Sequence, residues 1–463
     1  MIATMKKLFG TDGMRGEAGR FPLDAAAVRA AGRSLARHLA GRLGRRPRVV
    51  TGRDTRESGA WIEEAFLEGA RESGAEVEAA GVMTTPGVAY LARVLPADAG
   101  VVISASHNPF ADNGIKIFAP TGRKLDDATE RLIETDIYAD RERGIAVAGT
   151  KEVEESVTEG DERQSAALRA RYLDHLALEV ADGLRLEDFV VAVDCANGAA
   201  SALAPALLAR LGARVVAFNN APDGRNINRD CGSLHMEALQ RRVVEEGAQL
   251  GVAYDGDADR SLFVDARGRL VDGDATLWVL AKRMQERGEL EGNRVVATVM
   301  SNIGLELALR SRRIELLRTD VGDKYVLEEL LRTGTALGGE QSGHIIFPRL
   351  SLAGDGMTTT LNLLRAVSEA GRPLHELTEG FERFPQVLVN VRVREKLPFE
   401  EVEEVAHRAR DVRAELGEHG RLLLRYSGTE LLARVMIEGS RQDEIERLAE
   451  GLAAVIQQKL GAG

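Results

Sequence analysis

The chain has 463 residues, 44% of them hydrophobic and 29% charged, with a net charge of −11, a make-up typical of globular proteins and too long for one hydrophobic core. The acidic balance argues against a nucleic-acid surface, no stretch approaches the roughly 18 consecutive apolar residues of a membrane span, and two cysteines, Cys195 and Cys231, are too few for a disulfide scaffold. Because the net charge repels anionic metabolites at long range, a phosphate site must be built locally from Arg, Lys and backbone N–H groups.

Taken in order, the opening residues 1–7 lack the apolar region of a secretory signal, which together with the two thiols predicts a cytoplasmic protein. β-Branched apolar runs at 49–51, 101–104, 190–194 and 295–301 each end in small or polar residues and precede helical patterns, the alternation of parallel α/β layers. Binding loops in such sheets gather at the carboxyl ends of strands. Three strand ends look alike, Ser106-His107-Asn108, Cys195-Ala196-Asn197-Gly198 and Met300-Ser301-Asn302, which hints at repeated units. Residues 150–164, rich in Glu, read as a surface connection, and a second change falls near 371–385. Beyond it Val387, Val389, Val391 and Val393 alternate with less apolar residues as a half-buried strand, and Val402, Val405, Ala409, Val412 and Leu416 repeat at helical spacing. Strand-like 422–424 and 434–437 and a helix from Asp443 to about Leu460 complete a small α+β unit.

The chemistry sits in the loops. Ser106 ends an apolar run and offers a hydroxyl nucleophile, which is weak unless assisted. Asp255, Asp257 and Asp259, separated by single small residues, can converge on one hard cation; an EF-hand is excluded because Arg260 stands at its glycine position and Ala266 at its final glutamate. Together the two segments suggest metal-assisted phosphoryl transfer through a phosphoserine. Only nine of the 61 basic residues are lysines, so Lys116, next to the turn Asp112-Asn113-Gly114, is either a general acid or base or a solvated lysine. Gly338-Gly339-Glu340-Gln341-Ser342-Gly343-His344 is suited to sugar hydroxyls, and Arg425-Tyr426-Ser427-Gly428-Thr429-Glu430, with Arg434, to an anion. No Walker sequence occurs at these loops, which lowers the case for a nucleoside triphosphatase.

In this order, the segments 10–16, 52–56, 104–116, 255–260, 339–344 and 425–434 resemble the α-D-phosphohexomutase superfamily, most closely its bacterial phosphoglucosamine mutases, over essentially the whole chain. The resemblance implies three similar α/β domains and a smaller α+β C-terminal domain around a central cleft, expected over 1–160, 161–260, 261–372 and 373–463. It implies phosphorylation of Ser106, a Mg²⁺ site formed by Ser106, Asp255, Asp257 and Asp259, and proton transfer or transition-state support from Lys116, His107, Arg15 and His344. Glu340 and Ser342 match the sugar loop, and Arg425, Ser427, Gly428, Thr429 and Arg434 the phosphate loop. Departures from the usual pattern are Thr84, Ala258, Tyr426 and Leu431.

The reaction implied interconverts glucosamine 6-phosphate and glucosamine 1-phosphate through a sugar 1,6-bisphosphate that also serves as activator, feeding cell-wall precursor synthesis. Closure of the last domain over the substrate is expected, since an open cleft would leak phosphoryl to water. The expected partners are a small hexosamine phosphate and a second copy of the chain in a homodimer, with neither nucleic acid nor membrane. Rival readings are a phosphomannomutase or phosphoglucomutase of the same superfamily, a phosphatase, and a non-catalytic sugar-phosphate sensor; the last predicts loss of reacting groups, yet Ser106, Lys116 and the three aspartates are present.

Overall fold

The computed structural model describes residues 7–10, 12–144, 159–427 and 430–462. Most of the connection expected over 150–164 lies outside them, and residues 159–164, expected in that connection, instead begin the helix Glu159–His175, with 161–164 exposed.

Four sheets follow one another along the chain. The first contains β1 (Phe9–Gly10), β2 (Gly13–Glu17), β3 (Arg48–Arg53), β4 (Glu76–Val82), β5 (Ala99–Ile103) and β6 (Asp112–Phe118), in the order β1-β2-β6-β5-β3-β4. The second, ordered β11-β10-β9-β7-β8, is built from β7 (Val190–Asp194), β8 (Arg214–Phe218), β9 (Leu250–Tyr254), β10 (Ser261–Asp265) and β11 (Leu270–Val271). The third, ordered β13-β12-β14-β15, uses β12 (Arg294–Thr298), β13 (Glu315–Thr319), β14 (Gly338–Gly339) and β15 (Ile345–Ile346). In the last, antiparallel, sheet β18 (Leu432–Glu438) lies between β16 (Gln386–Arg392) and β17 (Arg421–Tyr426). The domain edge expected at 260 falls inside the β9–β10 hairpin, whose pairing keeps residues 261–271 with the second sheet.

The first three sheets share one plan. A central strand (β3, β7 or β12) has parallel neighbours on both sides, and one neighbour (β5, β9 or β14) returns as an antiparallel hairpin strand (β6, β10 or β15). The layers are therefore mixed rather than wholly parallel. β5 and β9 are buried at every position, as strands covered on both faces must be, and this explains their unbroken apolar runs. The three hairpin loops are the Ser106 loop, the acidic loop and the Glu340–His344 loop, so the same topological position carries the candidate chemistry three times. The likeness seen among strand ends in the sequence groups them differently: the Cys195 and Met300 segments follow the central strands β7 and β12, whereas Ser106 follows β5.

One continuous apolar core runs through the first three units, joining residues such as Met83 and Leu91, Val193 and Leu203, and Val295 and Leu361. A second core backs the first sheet against helices Ala25–Leu43 and Gly59–Glu72. These helices cross so closely that a Cβ on Gly32 would lie 2.0 Å from the Phe66 carbonyl oxygen. The fourth unit has its own core, from Val391 to Leu460, with the valines of β16 facing the helices Glu403–Leu416 and Gln442–Leu460.

Candidate active site

Ser106 leaves β5 with a left-handed backbone (φ 53) and is 1% exposed. Its N–H donates to Ser104 Oγ at 3.0 Å, Ser104 Oγ donates to Asp54 Oδ2 at 2.6 Å, and its own Oγ donates to Asp255 Oδ2 at 2.5 Å. The loop places the hydroxyl against the first aspartate of the acidic hairpin, 149 residues away in sequence.

The oxygen donors of Asp255, Asp257 and Asp259 lie within 4.8 Å of one another, and all three residues are buried. Asp257 Oδ2 accepts from Thr85 Oγ1 at 2.6 Å and Lys116 Nζ at 2.8 Å, while Asp257 Oδ1 and Asp259 Oδ1 are buried without a hydrogen-bond partner. Burial, then repulsion from Asp259 and Asp257, pushes the Asp255 carboxyl well above the usual carboxylate range. Burial also opposes ionisation of Asp259, but Lys116 and His344 outweigh it and hold Asp259 well below that range. Three converging carboxylates with two unpartnered oxygens, and a serine hydroxyl beside them, form the hard-oxygen donor set that a divalent cation such as Mg²⁺ requires. Ala258, one of the departures from the pattern that the resemblance implies, has φ 56, a conformation Gly adopts freely.

Lys116, on β6, is 1% exposed and faces three carboxylates: Asp257 at 2.8 Å, Asp12 at 3.2 Å and Asp259 at 3.4 Å. Burial favours its neutral amine, but Asp12, Asp257 and Asp259 outweigh burial and hold the ammonium well above the ordinary lysine range. It is therefore no solvated lysine. Arg15 pairs with Asp12. His107 Nδ1 lies 3.3 Å from Ser106 Oγ and 3.1 Å from an Arg260 guanidinium nitrogen; burial, then the Arg260 and Arg15 charges, lower its pKa.

His344 closes the third hairpin. Its Nε2 lies 3.2 Å from Gly354 N and its Nδ1 3.7 Å from Asp259 Oδ1; burial opposes protonation of the ring, but Asp259 outweighs it and raises the His344 pKa to about 9. In the same loop Glu340 Oε1 accepts from Gly322 N at 3.2 Å, and the buried Ser342 Oγ has no protein partner. A cavity of about 520 Å³, lined in part by Lys116, Asp259, Asp323 and His344, opens beside these groups.

In the fourth unit Arg425 and Arg434 stand directly opposite on β17 and β18. Burial, then the Arg434 charge, lowers the Arg425 pKa, and Arg434 Nε is buried without a partner. Arg425 reaches Met300 Sδ at 4.0 Å, so this edge faces the third unit. Ser427, 3% exposed, accepts from Glu430 N at 3.4 Å; Gly428 and Thr429 lie outside the described residues. Tyr426 stacks on Phe399 with ring centroids 4.2 Å apart and donates to the Leu397 carbonyl. Leu431 is 54% exposed.

Sequence reasoning missed four contributors: Asp54 and Arg56 behind the Ser106 loop, Asn228 against it from the second unit, and Thr85 on Asp257. The first two lie in the segment Gly52–Arg56 that carried the resemblance, but nothing in the one-dimensional pattern shows which carbonyls a buried guanidinium reaches. Thr84, another of the departures from the pattern that the resemblance implies, caps the helix Thr85–Val94 by accepting from Gly87 N.

Four family models match in chain order: the phosphoglucomutase/phosphomannomutase alpha/beta/alpha domains I (residues 6–144), II (170–268) and III (272–384), and the C-terminal domain (388–455). The chain is 49% identical over 456 residues to a phosphoglucosamine mutase of Solibacter usitatus, covering 98% of this chain and 99% of that one. It is 47% identical to a phosphoglucosamine mutase of Mycolicibacterium vanbaalenii, covering 97% and 98% of the two chains. Among solved structures, a phosphoglucomutase/phosphomannomutase family protein of Burkholderia thailandensis superposes with a TM-score of 0.78 at 24% identity, covering 99% of this chain and 98% of that one. The Aspergillus fumigatus N-acetylphosphoglucosamine mutase, in complex with GlcNAc-6P and magnesium, does so at 0.65 and 19%, covering 97% and 95%.

Proposed function

The chain belongs to the phosphoglucosamine mutase family, isomerases that interconvert glucosamine 6-phosphate and glucosamine 1-phosphate, and we propose that in this member Ser106 carries the phosphoryl group. The observation that carries this reading is Ser106 Oγ at 2.5 Å from Asp255, within a buried carboxylate cluster that has two unpartnered oxygens.

In the first half-reaction a sugar hydroxyl oxygen forms a bond to phosphorus, the bond from phosphorus to Ser106 Oγ breaks, and the net proton passes from the sugar hydroxyl to Oγ; the second runs in the opposite sense, Oγ forming the bond to phosphorus as the bond from phosphorus to the other sugar oxygen breaks and the proton passes from Oγ to that oxygen. Lys116, held as an ammonium, is the proposed acid toward the departing oxygen and, once deprotonated, the proposed acceptor from the attacking hydroxyl, while His344, 3.7 Å from Asp259, is proposed to support the transition state. Asp255, Asp257 and Asp259, with a phosphoserine oxygen, would hold Mg²⁺, which when bound neutralises the charge of the transferring phosphoryl group. Arg15 and His107 flank this end. Glu340 and Ser342 orient the sugar hydroxyls, and Arg425, Ser427, Gly428, Thr429 and Arg434 hold the remote phosphate, so the 1,6-bisphosphate must turn over before it returns its other phosphate to Ser106. The fourth unit closes during this sequence to keep water from the phosphoserine. A cytoplasmic homodimer is part of the proposal; the buried free thiols support the compartment.

The test is turnover with Mg²⁺ and a trace of sugar 1,6-bisphosphate, offering glucosamine, glucose and mannose 6-phosphates in competition. A clear preference for the amino sugar is expected. Equal or greater turnover of glucose or mannose contradicts the substrate, and net release of inorganic phosphate in place of isomerisation contradicts the mutase.

A further inference from the structure

The geometry points to Arg56 as a positioning residue for phosphoryl transfer, one that with Asn228 fixes the Ser106 loop so that its Oγ meets the acidic cluster; the inference rests on Ser106 being the carrier. Arg56 is 1% exposed, and a buried guanidinium is tolerated only when its charge and all five N–H groups are answered. Its Nε donates to Asp54 Oδ2 at 2.9 Å. One terminal nitrogen donates to the carbonyls of Pro109 and, at 2.9 Å, Asp112; the other reaches the carbonyls of Ser106 at 2.9 Å and Asn108 at 2.8 Å. Three carbonyls of the Ser106 loop and that of the first residue of β6 thus converge on a single planar cation.

The same pair grips both sides of Ser106. Asp54 accepts from Ser104 Oγ, which receives the Ser106 N–H, while Arg56 takes the Ser106 carbonyl. Asn228, from the second unit, donates to the Ser106 carbonyl at 2.8 Å and the Asn108 carbonyl at 3.1 Å. The acidic loop presses on the same point: a Cβ at Gly256 would lie 2.5 Å from the Ser106 carbonyl oxygen. Ser106 is thereby kept at φ 53, a backbone conformation that residues with a Cβ rarely adopt, and that backbone directs Oγ to Asp255. Arg56 of the first unit and Asn228 of the second thus converge on the single carbonyl of the reacting residue, an arrangement that stabilising the fold alone does not require.

The experiment uses full-length dephosphorylated protein, wild type, Arg56→Lys and Asn228→Gly, mixed with glucose 1,6-bisphosphate. Phosphate on Ser106 is followed by intact mass and peptide mapping, with kcat and KM measured in parallel. Asn228 has φ 57, which Gly adopts without strain, so that variant removes the donor and keeps the backbone. Arg56→Lys is expected to slow Ser106 phosphorylation and kcat by about 100-fold with KM within about threefold, and Asn228→Gly to slow both by about tenfold. A folded Arg56→Lys that phosphorylates Ser106 at the wild-type rate overturns the inference. Should that variant not fold, a wild-type rate in Asn228→Gly overturns it. Wild-type protein that takes no phosphate on Ser106 removes the carrier reading itself, and this inference with it, a result distinguishable from either of the others.

Discussion

Asp257 divides its carboxylate between two tasks: Oδ2 holds Thr85 and Lys116, and Oδ1 is buried with nothing to bind. An unpartnered buried carboxylate oxygen is costly, and a cation that reaches it offsets that cost. Substituting Asp257→Asn keeps the shape but replaces one anionic oxygen with an amide that cannot share a charge with an ion. The Mg²⁺ concentration for half-maximal activity should rise by about tenfold or more, with a matching loss of affinity in calorimetry of the metal alone. Unchanged titrations would remove the metal from this cluster. Spacing alone made the three aspartates legible in the sequence, because one small residue between each lets them converge. Lys116 was legible only as a choice between a reacting and a solvated lysine, since its carboxylate partners come from two distant segments, Asp12 and the acidic loop.

At the level of elements, the β17–β18 pair carries an electrostatic cost without a ligand. Like charges directly opposite on neighbouring strands destabilise a sheet, and Arg425 faces Arg434 in register. An anion between them reverses the sign of that interaction. Arg425→Ala should therefore weaken sugar-phosphate affinity by roughly tenfold while leaving the melting temperature of the free protein unchanged or slightly raised. A lower melting temperature with unaltered affinity would make the pair structural. Most elements could be read in advance: the alternating valines of β16 and the periodic apolar residues of the last two helices define a half-buried strand and packed helices. The antiparallel returns β6, β10 and β15 could not. β15 is only two residues long and β10 is an ordinary apolar run, so nothing local in either states the direction of pairing. For the same reason the three strand ends resemble one another in residue type and not in their place in the sheets.

At the scale of the whole molecule, one apolar core binds the first three units together, while the fourth is packed around its own and meets the third through polar contacts. Buried Glu438 accepts from Asn302 Nδ2 and Ile303 N, each at 3.2 Å, and Arg421 donates to the Ser301 carbonyl at 3.0 Å. Such an interface can rearrange with less loss of apolar burial than a shared core, which suits the closure proposed for the fourth unit. The assembly of four units was legible because six motifs occur in a fixed order, whereas the shared core and the separate fourth one depend on packing that no single segment encodes. Three loops in equivalent positions and the Arg425–Arg434 strand pair serve a single premise, that phosphate passes through Ser106. Its most direct test is rapid-quench discharge: protein phosphorylated on Ser106 is mixed with glucosamine 6-phosphate and Mg²⁺, and the phosphoserine is followed by peptide mass. The account predicts that phosphate leaves Ser106 at least as fast as the enzyme turns over and appears in a sugar bisphosphate; discharge slower than turnover, or phosphate on another residue, would contradict it.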